Sequence, residues 1–258
     1  MGNQKIDIIL ATHNKLHLTA RCLECLYQYT TIPFRLIVVD DSDDLTPQYI
    51  EWLNKEKQNI VYVRNENITH GNQIINIGLE HCETPVVCYM GNSTFVEPDW
   101  LTVAFMLMEK EQDIGIVGFK LLYSTNIIEH AGMYWSPDMP HHMNFGVKEP
   151  SHRLTQVAEV PAVGWALVLL RKAAFPKPLD IQTFLGFRGY DDLDNCLEVT
   201  KRGWRIVYCG FGVAYHDAGA TRYSNAENFA RECEQNRQTF LNKWGGTEEA
   251  KRSSIIGF

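Results

Sequence analysis

No glycine-rich phosphate loop is present. Neither GxGxxG after a strand nor GxxxxGK(S/T) occurs in the 258 residues, so the usual dinucleotide and P-loop cradles are excluded. Long apolar runs are missing too. The longest, Val160 to Leu170, has eleven residues with a proline and a glycine inside it, whereas a bilayer span needs about 20. Asp7 interrupts the first apolar run, so no secretory signal and no transmembrane segment is expected. There is no block of five or six consecutive basic residues and the net charge is −7. That argues against nucleic acid or an anionic membrane as the main partner. It leaves room for a small phosphate-bearing ligand, which backbone amides at a helix terminus can hold. A second CxxC to complete a zinc site is also absent. The seven cysteines are odd in number and scattered, and Cys22 and Cys25 fall in a helix-like stretch. They read as small packing groups in a reducing compartment, hence a soluble cytoplasmic protein. No repeat and no Pro/Gly/Ser linker divides the chain.

What remains is an ordinary globular composition, 45% hydrophobic and 21% charged. Ile6 to Leu10, Arg35 to Val39, Lys57 to Val63 and Pro85 to Met90 read as strands. Helical patterns around Leu18 to Tyr27, over Gln48 to Lys57 and over Gln73 to His81 separate them. Strand and helix alternating at this spacing predict βαβ units on a parallel sheet, an α/β fold. Such sheets bind ligands at the carboxyl ends of their strands. Three of those ends are polar here: Thr12-His13-Asn14, Asp40 through Asp44, and Gly91-Asn92-Ser93-Thr94. In the second half, Gly115 to Leu122, Ile127 to Tyr134, Val160 to Leu170 and Trp204 to Tyr208 read as strands. Residues 136–158 read as a loop, and Asn225 to Trp244 as a terminal amphipathic helix.

Aspartates after the second strand suit hydrogen bonds from a ribose or a base, because a charged acceptor strengthens them. Asp43 and Asp44 fit equally well as caps for a helix starting near Thr46-Pro47. Asp191, Asp192 and Asp194 precede or open a helix, where the dipole favours them. Adjacent carboxylates in a cleft also raise one another's pKa, which suits a general base. His216, at a strand end before a glycine-containing turn, fits a structural residue or a ligand. His141, His142 and His152 lie in the long loop with nothing nearby to fix a metal geometry.

Eight fragments in order resemble the inverting glycosyltransferases of family 2, which have the GT-A fold, up to about residue 225. Ile8 to Asn14 resembles the opening strand and TxN loop, and Leu36 to Asp44 the IVVDNGSTD segment. Asn67 to Leu79 resembles the NxGxxxAxNxGL helix, and Val96 to Leu101 the stretch after the metal motif. Gly115 to Gly118 with Ile128 to Gly132 resembles the next strand pair. Val163 to Ala166 is similar to the acceptor-side GA segment, Asp191 to Leu197 to EDxDLCL, and Tyr215 to Gly219 to the HxxG end.

The resemblance implies a single GT-A-type domain with a Rossmann-like mixed sheet flanked by helices over residues 1–258. A nucleotide-binding half would occupy about 1–100 and an acceptor half about 101–225, followed by a C-terminal helix and tail. It implies a nucleoside-diphosphate sugar donor of UDP, dTDP or GDP type and a glycan or other hydroxyl acceptor. Thr12, Asn14, Asp40, Asp41, Asn72, Gly91, Asn92 and Ser93 would face the donor, with Asp40 on the base. Gly164 and Trp165 would face the acceptor. Asp192 would remove the acceptor's proton, with Asp191 in place of the motif's glutamate. The resemblance is to a rhamnosyltransferase-like subgroup with an atypical DxD region: Gly91-Asn92-Ser93 stands where aspartates hold Mg2+ or Mn2+. A metal would then be weakly bound or dispensable, held by the diphosphate and His216 or replaced by Arg222 or Lys201. The alternative is a non-catalytic relative that binds sugar nucleotides or glycans. A dehydrogenase is disfavoured by the missing glycine fingerprint.

Overall fold

The computed structural model describes residues 5–136, 139–148, 154–217 and 226–249. The first half alternates as its periodicity predicts: β1 (Ile6–Thr12), α1 (Leu16–Tyr29), β2 (Phe34–Asp40), α2 (Thr46–Lys57), β3 (Ile60–Arg64), α3 (Gly71–His81) and β4 (Val86–Gly91). β1 is buried at every position, the pattern of a strand covered on both faces. Ile6, Ile8 and Leu10 pack against Leu23 and Leu26 of α1 and Ile50 and Leu53 of α2. Ile9 and Ala11 turn the other way, with Ile37, Val39 and Ile74 of α3. Each such leucine, isoleucine or valine contributes about 1.5–3 kcal/mol by leaving water, more than any helix-propensity term in these elements.

The remaining elements are β5 (Thr94–Val96), α4 (Thr102–Lys110), β6 (Ile114–Leu122), β7 (Ile128–His130), β8 (Met133–Ser136), β9 (Met139–His142), β10 (Val157–Glu159), β11 (Leu167–Arg171), α5 (Asp191–Lys201), β12 (Arg205–His216) and α6 (Ala226–Trp244). One mixed sheet runs β10-β12-β6-β11-β4-β1-β2-β3, with β5 on β12 and β7 on β6. The pairs among β1, β2, β3 and β4 are parallel, whereas β11 is antiparallel to both β4 and β6. Helices cover both faces, and the expected α/β architecture of one continuous sheet flanked by helices holds. From β1 the chain steps to β2 and β3, then returns through α3 to β4 on the other side of β1. The loops after β1 and β4 therefore diverge and open a crevice at the carboxyl edge.

Four expectations need correction. Ile127 to Tyr134 is not one strand: Gly132 at φ 88 separates β7 from β8, a conformation that a side chain would strain. β8 pairs with β9, inside the stretch expected to be loop, and β10 lies there as well. Of Val160 to Leu170, only the last four residues join β11; a short apolar run does not reveal its own secondary structure. β12 continues past Tyr208 through an irregularity between Cys209 and Val213, which carries the strand to His216. All seven cysteines are free and five are buried. Among the described residues no helix is long and apolar enough to cross a membrane.

Candidate functional site

A cavity of about 370 Å³ opens at the crevice. Thr12 and His13 reach it from the end of β1, Asp41 from the end of β2, and Gly91, Asn92 and Ser93 from the end of β4. Asn72 enters from α3, Trp165 from the approach to β11, Asp191 and Asp192 from the start of α5, and His216 from the end of β12. Residues far apart in sequence are thus brought together, as the strand-end argument predicts.

Three expected site residues do not line it. Asp40 is fully buried. Its Oδ1 accepts the Thr12 hydroxyl at 2.6 Å and the Ser42 N–H at 3.2 Å; its Oδ2 accepts the Tyr62 hydroxyl at 2.8 Å and an Arg64 N–H at 3.0 Å. A carboxylate accepts about four hydrogen bonds, so none remains for a base. Asp40 instead ties the tips of β1, β2 and β3, and burial beside its charge pushes the Tyr62 hydroxyl pKa up. Asn14, at φ 53, accepts the N–H groups of Asp43 and Asp44 and donates its own to Ser42 Oγ. It clamps two loops behind the cavity. Gly164 donates to Nε2 of His130 at 3.1 Å.

Asn72 borders the cavity but is 2% exposed. Its amide donates to the Asp180 carbonyl and accepts from Asn195 Nδ2, both at 2.8 Å. It ties the loop at Asp180 and the start of α5 to α3. Asp44 is a cap: Oδ1 accepts the Thr46 N–H and Oδ2 the Leu16 N–H. Burial works upward on its pKa, but those bonds outweigh it and leave the carboxyl below its usual value. Asp43 is exposed, and Lys201 lies over the Trp244 ring, away from the cavity. Arg222, His152 and Gly219 fall outside the described residues.

Asp191 and Asp192 open α5, where unpaired N–H groups and the dipole favour anions. Asp191 Oδ2 is 3.9 Å from His70 Nδ1, and a Cβ at Gly71 would lie 3.5 Å from it. Asp191 therefore sits over the start of α3 as well. Asp192 Oδ1 accepts the Leu193 N–H at 2.9 Å. Asp194 points away, accepting Trp244 Nε1 at 2.6 Å and Lys243 Nζ at 2.7 Å. Burial raises its pKa against both partners. It anchors α6 to α5.

His216 Nδ1 is 2.8 Å from Glu129. A carboxylate can only accept, so Nδ1 carries the hydrogen and Nε2 is the other face of the ring. At the end of β4, Asn92 Nδ2 donates to the Asn14 carbonyl and to Thr19 Oγ1. The Ser93 carbonyl accepts the Asp217 N–H. Among the described residues no three His, Cys, Asp or Glu side chains are grouped to hold a metal ion.

Lining residues outside the expected set include His13, Tyr89, Phe187 and Arg188. His13 was visible in the polar loop after β1. Arg188 stands three residues before the acidic cluster, and a cation there was the available signal.

Residues 7–160, more than half of the chain, match the family model for glycosyl transferase family 2. The chain belongs to that family. Solved structures share the fold of this chain. GalNAc-T7 with UDP, GalNAc and Mn2+ superposes at TM-score 0.68 and 16% identity, over 92% of this chain and 50% of that one. The mannosyltransferase PcManGT from Pyrobaculum calidifontis, with GDP-Man and Mn2+, gives TM-score 0.68 at 15% identity, over 97% and 67%. Residues 1–349 of S. aureus TarS with UDP-GlcNAc give 0.61 at 18%, over 96% and 69%. An uncharacterized protein of Sinorhizobium fredii is 22% identical over 231 residues, 86% of this chain. This family 2 chain spans a quarter of the length of that curated relative.

Proposed function

We propose that the chain transfers a sugar from a nucleoside diphosphate to a hydroxyl acceptor, with inversion. The observation that carries this is the shared cavity: nucleotide-side loops after β1, β2 and β4 face the Asp191–Asp192 pair across about 370 Å³. Asp41, not Asp40, is the carboxylate placed for the nucleoside. Asp192 accepts the acceptor's proton as its oxygen bonds to the anomeric carbon. The carbon–oxygen bond to the diphosphate breaks on the opposite face, and its electron pair leaves with the phosphate. Asp191, held over two helix starts, positions the pair. Trp165 offers an apolar face to the acceptor, a glycan or related hydroxyl compound.

The solved relatives carry Mn2+ in two cases, but the donors here do not fit a tightly held dication. Mg2+ and Mn2+ favour carboxylate oxygens, and the end of β4 supplies a glycine, an amide already donating twice, and a serine. No step is therefore routed through a metal, and Mg2+ or Mn2+ is proposed to be weakly bound or dispensable. A rhamnosyltransferase-like placement and a role in polysaccharide assembly extend the family resemblance as part of this proposal, and the free cysteines support a cytoplasmic setting. The second reading, a binding relative without catalysis, is favoured by those same neutral residues. Release of nucleoside diphosphate, measured across UDP-, dTDP- and GDP-sugars with glycan acceptors, separates the two. Binding without release on any donor would leave only the second.

A further inference from the structure

We infer that Arg188 recognises the diphosphate of the bound nucleotide sugar, supplying the positive charge that the end of β4 lacks. The inference rests on the nucleotide-sugar reading of the cavity. The cavity carries three carboxylates, Asp41, Asp191 and Asp192, and a diphosphate entering it needs an opposing charge. Among the described residues Arg188 is the one lysine or arginine that lines it.

The guanidinium is pre-set rather than loose. Its Nε donates to Glu232 of α6 at 2.5 Å, and its carbon lies 5.2 Å from the centre of the Phe229 ring. Nη1 makes a long 3.4 Å bond to the Phe187 carbonyl, and among the described residues no hydrogen bond engages Nη2. One edge of the fork is thus fixed by a carboxylate, and the terminal nitrogens suit paired phosphate oxygens.

The segment under it is held from both sides. Asn236 of α6, 1% exposed, accepts the Leu185 N–H at 2.8 Å and donates to the carbonyls of Leu185 and Gly189 at 2.9 and 3.0 Å. At Gly186 the backbone comes so close to the segment leading into α3 that a Cβ would lie 1.6 Å from the Thr69 carbonyl oxygen. Phe187 and Tyr190, flanking Arg188, adopt left-handed φ values of 55 and 73. Such conformations persist where surrounding contacts enforce them, often beside ligands. An ion pair made only for stability would not need this scaffold at the mouth of a cavity.

Calorimetric titration of UDP, GDP and dTDP, and of their nucleosides, tests the assignment. Arg188→Gln is expected to weaken the diphosphate that wild type binds by about tenfold or more, the loss of a charge-assisted bond. Nucleoside affinity should stay within about twofold of wild type, because the charge acts on phosphate alone. Glu232→Gln removes the pair's negative charge but keeps the cation and leaves an amide oxygen to accept from Nε, so diphosphate affinity should hold or rise. Thermal melting of each variant checks folding, and Arg188→Lys, which keeps the charge without the fork, should fall between wild type and Arg188→Gln. Equal losses in Arg188→Gln and Glu232→Gln, or none in Arg188→Gln, overturn the role of Arg188 alone. If wild type binds none of the three diphosphates, the nucleotide reading fails and this inference with it.

Discussion

Asp40 and Asp41 are neighbours at the tip of β2, and their surroundings give them opposite roles. Asp40 holds four donors and is buried, whereas Asp41 borders the cavity. Asp40→Ala leaves the Tyr62 hydroxyl and the Arg64 guanidinium short of an acceptor. A loss of about 1–3 kcal/mol in urea unfolding is expected, with nucleotide affinity of the folded fraction little changed. Asp41→Ala should do the reverse, weakening nucleoside diphosphate binding about tenfold with stability nearly intact. The opposite pattern would return the base to Asp40. Asp192→Asn should cut turnover by about 10²–10⁴-fold while nucleotide affinity holds, since an amide cannot take the acceptor's proton; wild-type turnover would sink that role. From sequence, both pairs of aspartates were legible as site material. Which member of Asp40 and Asp41 faces the ligand was not, because the partners that engage Asp40 come from β1 and β3, some 22 to 28 residues away.

Elements with strong periodicity were read nearly to the residue. β1, β2, β4 and α3 lie where alternating and helical apolar patterns put them, and those elements set the crevice. The run Val160 to Leu170 was not legible, because its first seven residues, five of them buried, pack for another reason. They form a wall that docks on His130 through Gly164. His130 is 1% exposed, and its Nε2 accepts the N–H groups of Gly132 and Gly164. Its Nδ1 is 3.0 Å from His142 Nδ1 on β9. Burial first, and the charge of His142 second, hold its pKa well below the ordinary value. An unfolded chain protonates this histidine near pH 6.5, and the folded chain does so only at lower pH. Stability from neutral His130 is therefore fully present above that value and is lost as pH falls below it, by up to about 1.4 kcal/mol per pH unit. Urea midpoints between pH 7.5 and 5.5 should drop more steeply for wild type than for His130→Gln. Parallel slopes would mean that His130 titrates alike in both states.

At the scale of the molecule, the cavity is assembled from loops of seven separate segments between Ala11 and His216. A ligand that bridges them binds only the folded chain, so it must raise the melting temperature. At a hundred times its dissociation constant, a nucleoside diphosphate stabilises the fold by about 2.7 kcal/mol. Whether that stabilisation needs a metal depends on charge. In a metal-dependent site a carboxylate on the protein anchors the ion, and the ion in turn anchors the phosphates. At the end of β4 the side chains of Asn92 and Ser93 are neutral, and Asn92 already donates to Asn14 and Thr19. The expected melting shift with UDP, GDP or dTDP is therefore the same in excess chelator as with micromolar Mn2+. Introducing the missing charge with Ser93→Asp should create a difference between the two conditions, and His216→Ala in that background should reduce it, since the imidazole borders the same space with Nδ1 held by Glu129. A wild-type shift that vanishes in chelator and returns with micromolar Mn2+ would overturn the assignment. The ion would then have an anchor among the acidic residues facing the cavity, Asp41, Asp191 or Asp192, drawn together by the ligand's own phosphates.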